Sequence, residues 1–253
     1  MPSPASSFFS AVLVVDGNAL NRRMAEQLLL QLGWRCGLVS STEEALDWIV
    51  RDKWDAVLVE LSLPDGSGIE AVSRLRRRVE EAGYPPPRLV AVADGGSART
   101  RVVCRAAGIA AFLTRPLTLR DLEGALSPAP ESEAERSGDP VLIQTLGGLR
   151  DMAGERFVLD LIAILAKEGP ERLAEIGNVL ATGNLPVAGR LFHKMKGSAS
   201  SFGATELTRI CEVGDDACAE GDEALAKECR RLAGEELGRV TAFLARWKEG
   251  NHA

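Results

Sequence analysis

Hydrophobic positions follow two different periods along this sequence. In the first half, short apolar runs such as residues 11–15 alternate with longer segments in which apolar residues recur every three to four positions. The runs are typical of buried β-strands and the longer segments of amphipathic helices. The strands are predicted at 11–15, 35–39, 55–60, 89–93 and 110–114, and the helices at 18–33, from 41 onward, and at 68–83, 97–107 and 117–126. This alternation predicts an α/β fold: a doubly wound, five-stranded parallel sheet with helices on both faces.

Two helix ends in this half carry local signals. Gly33 follows the first helix and is a candidate C-cap, because glycine readily adopts the left-handed conformation that ends many helices. Ser41 and Glu44 have the spacing of a capping box, which predicts that the second helix begins at this serine.

After Pro140 the strand pattern ends and only helical periods remain. The helices are predicted at about 141–150, 154–168, 170–182, 186–201, 204–219 and 222–248. Pro170 and Pro186 stand where two of them would begin, a position that proline favours. Short loops between long helices predict an antiparallel bundle. Residues 127–139 are polar and acidic, so we interpret them as a linker between domains at 1–126 and 140–253.

Composition narrows the class of protein. The 253 residues have a formal net charge of −6, whereas a nucleic-acid-binding protein usually has a basic surplus. Five cysteines without a CxxC pair argue against a disulfide framework or a zinc site. The N-terminus lacks the features of a secretory signal, and no stretch approaches the roughly 20 apolar residues of a membrane span. We therefore expect a cytoplasmic protein that binds neither nucleic acid nor membrane.

One of the two histidines lies within a predicted helix. On a helical wheel of about 100° per residue, the apolar side chains around it fall within one arc of about 140°. That arc comprises Val187, Ala188, Leu191, Phe192, Met195, Ser198, Ala199 and Phe202. His193 lies about 170° from the middle of the arc and should face solvent. The other histidine, His252, is in the C-terminal tail.

The surroundings of His193 favour an anionic group on its ring. Gly189 and Gly197 lie one turn to either side of it, which predicts room for a large group to approach. Lys196 is three residues further along, within reach of a group on the ring. No Asp or Glu occurs from 177 to 205, whereas Arg190 and Lys194 do, so a phosphoryl group would be attracted there. No acidic residue lies near His193 in the sequence to make a Ser-His-Asp arrangement.

The motif at 193–198, His-Lys-Met-Lys-Gly-Ser, followed by Phe-Gly-Ala at 202–204, resembles the signature of histidine-phosphotransfer (HPt) domains. The resemblance covers roughly residues 140–248. It implies a four-helix bundle with extra N-terminal helices, in which His193 carries a phosphoryl group between aspartates of partner receiver domains. It also implies that Lys196 neutralises charge and that Gly197 gives access. Such a domain is a phosphocarrier and not an enzyme with a kinase site.

The first half resembles the receiver domains of response regulators over roughly residues 9–126. The matching segments are 12–18, 55–68 and 112–116. The resemblance implies a flavodoxin-like sheet with a phosphorylation site at its carboxyl edge. In that family the site has two adjacent acids for magnesium, an acceptor aspartate, a Ser or Thr, and a lysine before a proline.

This sequence departs from that pattern at four of five positions. Asp16 is the one acid retained for magnesium; the changed positions hold Gly17, Glu60 for the acceptor, Ala93 for the Ser or Thr, and Arg115 for the lysine. Phe112 still fills the aromatic switch position. A single carboxylate makes a weak magnesium site, and the longer Glu60 misplaces its oxygen for in-line attack. We therefore expect a pseudo-receiver that has no phosphoacceptor activity and no bound cofactor.

Two interpretations of Glu60 are compatible with the sequence. Glu60 pairs with Arg115 and fixes a conformation that resembles an activated receiver, or it is a tolerated residue in a domain kept for its surface. Asp65 is interpreted as a turn residue. The arginines within 74–78 are interpreted as a solvated helix face.

Three hypotheses for function follow. The first is a phosphorelay intermediate that exchanges phosphoryl groups, through His193, with receiver domains of response regulators or hybrid histidine kinases. The second is an adaptor that is not phosphorylated and binds a kinase or a response regulator. The third is the C-terminal part of a hybrid histidine kinase, although the initial methionine favours a complete chain.

Overall fold

The computed structural model describes residues 11–126 and 139–250, and the chain divides into two units, Met1–Pro128 and Ala129–Ala253. The predicted linker lies outside the described residues except for Asp139, and so does His252. Asp139 is the N-cap of the first helix of the second unit, where its side chain accepts a hydrogen bond from the Val141 amide at 2.9 Å. Its other carboxylate oxygen accepts from the Thr205 amide at 3.0 Å, so Asp139 belongs to the helical unit.

The first unit contains the predicted parallel sheet. Among its described residues the strands of this sheet are β1 Ala11–Val15, β2 Arg35–Val39, β3 Ala56–Glu60, β6 Arg88–Ala93 and β7 Ala111–Thr114. They are ordered β2-β1-β3-β6-β7, and every pairing is parallel. The carboxyl ends of β1 and β3 meet where the strand order reverses, which is the place where open α/β sheets form a crevice.

Helices cover both faces of the sheet. They are α1 Ala19–Gln31, α2 Thr42–Trp48, α3 Gly68–Glu81, α4 Ala98–Ala106 and α5 Leu119–Leu126. Alternate residues of β1 enter different cores, Leu13 and Val15 on one face and Val12 and Val14 on the other. This confirms that the sheet is buried on both sides, which is why its strands are uninterrupted apolar runs.

A small antiparallel hairpin was not predicted. Its strands are β4 Ser62–Leu63 and β5 Gly66–Ser67, within the segment that the sequence presented only as a loop. Asp65 lies in the turn, as predicted, and its carboxylate also accepts a hydrogen bond from the Thr42 amide at 2.7 Å. It therefore helps to cap α2 from a distant part of the chain.

The predicted helix ends are largely confirmed. Gly33 follows α1 with φ of 77°, the left-handed conformation expected of it. Ser41 is the N-cap of α2, and its hydroxyl accepts from the Glu44 amide at 3.3 Å. The return hydrogen bond differs from a capping box, because the Glu44 carboxylate accepts from the amide of Ser40 and not from that of Ser41.

The second unit is helical. Its helices are α6 Pro140–Ala153, α7 Glu155–Ala181, α8 Leu185–Ser201, α9 Thr205–Glu220 and α10 Glu223–Gly250. Helices α7 to α10 contact one another as a four-helix bundle, and α6 packs against α7. Among the described residues, no helix combines the length and the apolar character that crossing a membrane requires.

The prediction of separate helices at 154–168 and 170–182 was wrong. Helix α7 is continuous over 27 residues, with Pro170 in its interior, whereas Pro186 does lie in the first turn of α8. Buried positions continue at helical spacing on both sides of Pro170, at Leu165, Gly169 and Leu173. A Cβ built on Gly169 would lie 2.7 Å from Leu237 of α10. Close packing along α10 therefore outweighs the local preference of proline for a helix start.

Candidate functional site

His193 lies near the middle of α8 and faces solvent. Its side chain is 68% exposed, while Phe192 and Met195 on the opposite side are buried in the bundle. The predicted orientation of α8 is therefore confirmed. An exposed imidazole on a rigid helix leaves one edge of the ring open to a second molecule.

The two glycines beside His193 differ in what they do. Gly197 is exposed, and a Cβ built there meets no other atom within 4 Å, so this side of the ring is open. Gly189 is buried, and a Cβ there would lie 3.2 Å from both Asp215 Oδ1 and Cys218 Cβ. The prediction of access at Gly189 was wrong, because this glycine permits close approach of α9 to α8.

The basic residues near His193 lie at different depths. Arg190 and Lys194 are exposed, and Lys196 is half-buried. Burial raises the pKa of the Cys211 thiol on α9 to about 12, and the positive charge of Lys196 opposes that shift. The charge of Lys196 therefore acts on α9, while Arg190 and Lys194 are exposed residues of α8, three positions before His193 and one after it.

An acidic partner of His193 comes from α9 and was missed from the sequence. Asp215 Oδ2 lies 2.9 Å from His193 Nδ1, and the Asp215 side chain is 28% exposed. No acidic residue lies near His193 in the sequence, but the fold brings Asp215 next to it, so the expectation that its surroundings contain no acid was wrong. A signal was available: both residues are eleven positions from Ala204, at the turn between α8 and α9, and such pairs lie level in an antiparallel helix pair.

The second cluster of charged residues lies at the carboxyl edge of the sheet. The Arg115 guanidinium contacts the carboxylates of Asp16 and Glu60 through Nη2, and Asp94 Oδ1 at 3.0 Å through Nη1. Asp16 is 6% exposed and Glu60 8% exposed. The remaining oxygens accept backbone hydrogen bonds, Asp16 Oδ1 from Asn18 at 2.7 Å and Glu60 Oε1 from Ser62 at 3.2 Å.

Electrostatics favour the charged form of this cluster. Burial alone would lower the pKa of the Arg115 guanidinium, but the hydrogen bond to Glu60 and the charges of Glu60 and Asp16 outweigh that effect and raise it. Buried charges need such paired and hydrogen-bonded partners. Asp16 and Glu60 are therefore both paired with Arg115 and hydrogen-bonded to the backbone.

Pro64 fills the space beside Gly17, the position at which receiver domains have a second acid next to Asp16. A Cβ built on Gly17 would lie 2.6 Å from Pro64 Cγ, so no larger side chain fits unless the β4–β5 turn moves. Ala93 ends β6 and is buried. Phe112 is half-buried over Gly96, and the Arg101 guanidinium lies 4.5 Å from its ring centre.

Comparison with known proteins agrees with both halves of this arrangement. Residues 12–127 match the family model of the response regulator receiver domain, and residues 160–249 match that of the Hpt domain. This chain joins a receiver domain to an Hpt domain. His193 lies within the matched Hpt region, and the Asp16–Glu60–Arg115 network lies within the matched receiver region.

Curated relatives match most of the length of this chain. The sensor histidine kinase AruS of Pseudomonas aeruginosa is 29% identical over 209 residues, which are 81% of this chain and 21% of that protein. The aerobic respiration control sensor protein ArcB of Escherichia coli is 26% identical over 225 residues, 83% of this chain and 28% of that protein. The chain thus spans between a fifth and a third of the length of these two relatives.

A solved structure was also matched. The CheY-like receiver domain protein from Methanospirillum hungatei JF-1 is 22% identical, covers 46% of this chain and 89% of its own, and has a TM-score of 0.41.

Proposed function

We propose that this protein is a phosphorelay intermediate in which His193 of the Hpt domain carries a phosphoryl group. The observation that carries the proposal is the exposed imidazole on α8 with open space at Gly197. Neutral imidazole is a good nucleophile near neutral pH, and phosphoryl transfer depends mainly on positioning and charge neutralisation. The ring supplies the nucleophile and the helix supplies the positioning.

The cations beside the ring suit a dianionic group. Lys196 lies about one turn beyond His193, and Arg190 and Lys194 are exposed residues of the same helix, three positions before His193 and one after it. We propose that they neutralise the phosphoryl group during transfer. The partners are receiver domains of response regulators or hybrid histidine kinases, which supply the aspartates, and the Hpt domain acts as a carrier and not as an enzyme.

We propose that the receiver domain neither accepts a phosphoryl group nor binds magnesium. Arg115 pairs with Asp16 and Glu60, which are the carboxylates that a metal would need, and Pro64 fills the space beside Gly17. A hard cation would have to displace a guanidinium from buried partners. The pair between Glu60 and Arg115 favours the reading in which this domain is held in one fixed conformation.

Further observations bear on the cellular location of the protein and on the two alternative functions. None of the five cysteines, all of which lie among the described residues, forms a disulfide, which supports a reducing compartment and hence the cytoplasm. The relation to sensor kinases is compatible with a chain that works as the C-terminal part of a hybrid kinase. The fixed receiver network favours a docking role for that domain, so the adaptor hypothesis is kept as the second candidate.

Phosphotransfer from a phosphorylated partner receiver domain tests the proposal. We expect acid-labile phosphate on His193 alone, detected by mass spectrometry of the full chain, and none in residues 1–126. His193→Gln should abolish the labelling. Labelling that persists in this variant would overturn the carrier role. Signalling that survives His193→Ala but depends on the receiver surface would support the adaptor.

A further inference from the structure

We propose that a cavity of the receiver domain binds a small organic cation, with the charged head at the carboxylates around Arg115 and an apolar body beside α1. The cavity lies between α1 and the segment that follows β7, and its volume is about 330 Å³. This volume is within the range of about 300–1,000 Å³ that is usual for small-molecule sites. The inference goes beyond the carrier role of His193 and does not depend on it.

Most of the cavity wall is apolar. Its apolar side chains come from α1, from β3 and β6 and from the segment after β7, and they include Met24, Ala25, Leu28, Leu58, Val92 and Leu117. All of these except Met24 belong to the hydrophobic core on this face of the sheet or pack against it. A hydrocarbon group in the cavity would therefore exchange water for contact with core side chains, which favours binding.

The charged residues of the wall carry an excess of negative charge. Asp16, Glu60 and Asp94 line the cavity together with Arg115, whose guanidinium contacts all three carboxylates. Three negative charges against one positive charge leave a formal charge of −2. The Arg22 guanidinium, which donates to the Asp16 carbonyl at 2.6 Å, lowers this excess without removing it. A ligand that complements the cavity therefore carries positive charge.

An ammonium group suits the hydrogen-bonding capacity of these carboxylates. Ionised carboxylates only accept hydrogen bonds, whereas an ammonium group has three donors and no acceptor. Asp94 is the most accessible of the three acids, because its side chain is 89% exposed, compared with 8% for Asp16 and 10% for Glu60. The head can bind at Asp94 while Arg115 keeps its two buried partners. A magnesium ion differs in this respect, since it would need several of the same oxygens as direct ligands.

The probe is cyclohexylmethylamine, which joins a primary ammonium group to an apolar ring. Cyclohexylmethanol and cyclohexanecarboxylate keep the ring and replace the positive head by a neutral and a negative one. We expect the alcohol to bind about tenfold more weakly than the amine, because hydrogen bonds between charged groups are the stronger ones, and the carboxylate to bind more weakly still.

Binding is measured on the full chain by NMR of isotope-labelled methionine methyl groups. Met24 lines the cavity, whereas Met152 and Met195 belong to the helical unit. The signal that is lost in Met24→Leu identifies the reporter. We expect the amine to shift the Met24 signal until the site is saturated and to leave the signals of the other two methionines unchanged.

Two variants with matched controls test the two parts of the cavity. Asp94→Asn should weaken binding of the amine by about two- to fivefold, the range for an exposed ion pair, and leave the alcohol unaffected. Its control is Asp47→Asn, which changes an exposed acid on the opposite face of the sheet. Leu28→Trp fills the apolar part and should weaken the amine and the alcohol alike by about tenfold or more. Leu30→Trp, at an exposed position of the same helix, should bind both as the wild type does.

The outcomes separate the site from the class of its ligand. Saturable binding that favours the amine and weakens in Asp94→Asn would support the proposal. Equal binding of the three compounds, or unchanged binding of the amine in Asp94→Asn, would overturn the cationic ligand. A Met24 signal that does not saturate, or equal losses in Leu28→Trp and Leu30→Trp, would overturn the site. If circular dichroism shows that Leu28→Trp does not fold, the compound series and Asp94→Asn decide.

Discussion

Arg115 and Glu60 form a buried ion pair between two strands that are not neighbours in the sheet. Glu60 ends β3 and Arg115 follows β7, with β6 between them. The same guanidinium contacts Asp16 after β1 and Asp94 after β6. One cation therefore joins the carboxyl ends of four strands, at the edge where a receiver domain ordinarily reacts.

Removal of this cation should destabilise the receiver domain. Arg115→Met keeps the length of the side chain but leaves Asp16 and Glu60 buried without their partner, for which we expect a loss of about 3–5 kcal/mol. Arg77→Met, which removes an exposed ion pair with Glu81, should lose less than about 1 kcal/mol. Urea unfolding of both variants measures the difference. Equal losses would mean that the network contributes no more than a surface pair.

A single substitution should not enable the receiver domain to accept a phosphoryl group. Glu60→Asp restores the acceptor type, but Arg115 and the filled space at Gly17 still exclude a metal, so we expect no labelling by acetyl phosphate. Combining it with Gly17→Asp, Ala93→Thr, Arg115→Lys and Pro64→Ala removes each obstacle and should give magnesium-dependent labelling. Phosphate detection after electrophoresis measures it. Robust labelling of the wild type within residues 1–126 would contradict the pseudo-receiver proposal.

The periodicity of the sequence was sufficient for most of the fold. Runs such as 11–15 are apolar on both sides because both faces of the sheet are covered, and this pattern is local. Pro170 misled the prediction because its local effect ends a helix, while the packing of Gly169 against Leu237 is a tertiary effect. No local rule includes such a contact.

The candidate sites were predicted unequally for the same reason. His193 and its exposed face follow from one helix, so the wheel is enough to place them. Asp215 is 22 residues from His193 in the sequence. Pro64 is 47 residues from Gly17. The first could have been found from the register of the α8–α9 pair, whereas the second depends on the unpredicted β4–β5 hairpin.

Gly197 should lower the stability of the helical unit and give partner proteins access to His193. Gly197→Ala places a methyl group in open space within a helix, so we expect a gain of up to about 1 kcal/mol in the free energy of unfolding. Transfer from a phosphorylated receiver should slow about tenfold, since a displacement of about 1 Å can lower such rates by roughly 100-fold. Gly238→Ala, also in an open helix position, should stabilise equally without slowing transfer. Equal transfer rates in the two variants would remove the access role.

Buried thiols should make the helical unit less stable in alkali. Burial raises the pKa of Cys211 from 9.0 to about 12, so the folded state holds a proton that the unfolded state releases above pH 9. This contribution to stability is complete below pH 9 and is lost between pH 9 and 12, at about 1.4 kcal/mol per pH unit. Cys211→Ala should therefore unfold more easily at neutral pH but with a shallower decline in alkali. Urea unfolding followed by circular dichroism measures how the free energy of unfolding of each protein falls with pH. If it falls equally steeply in both, Cys211 has the same protonation state in the folded and the unfolded chain, and the prediction is wrong.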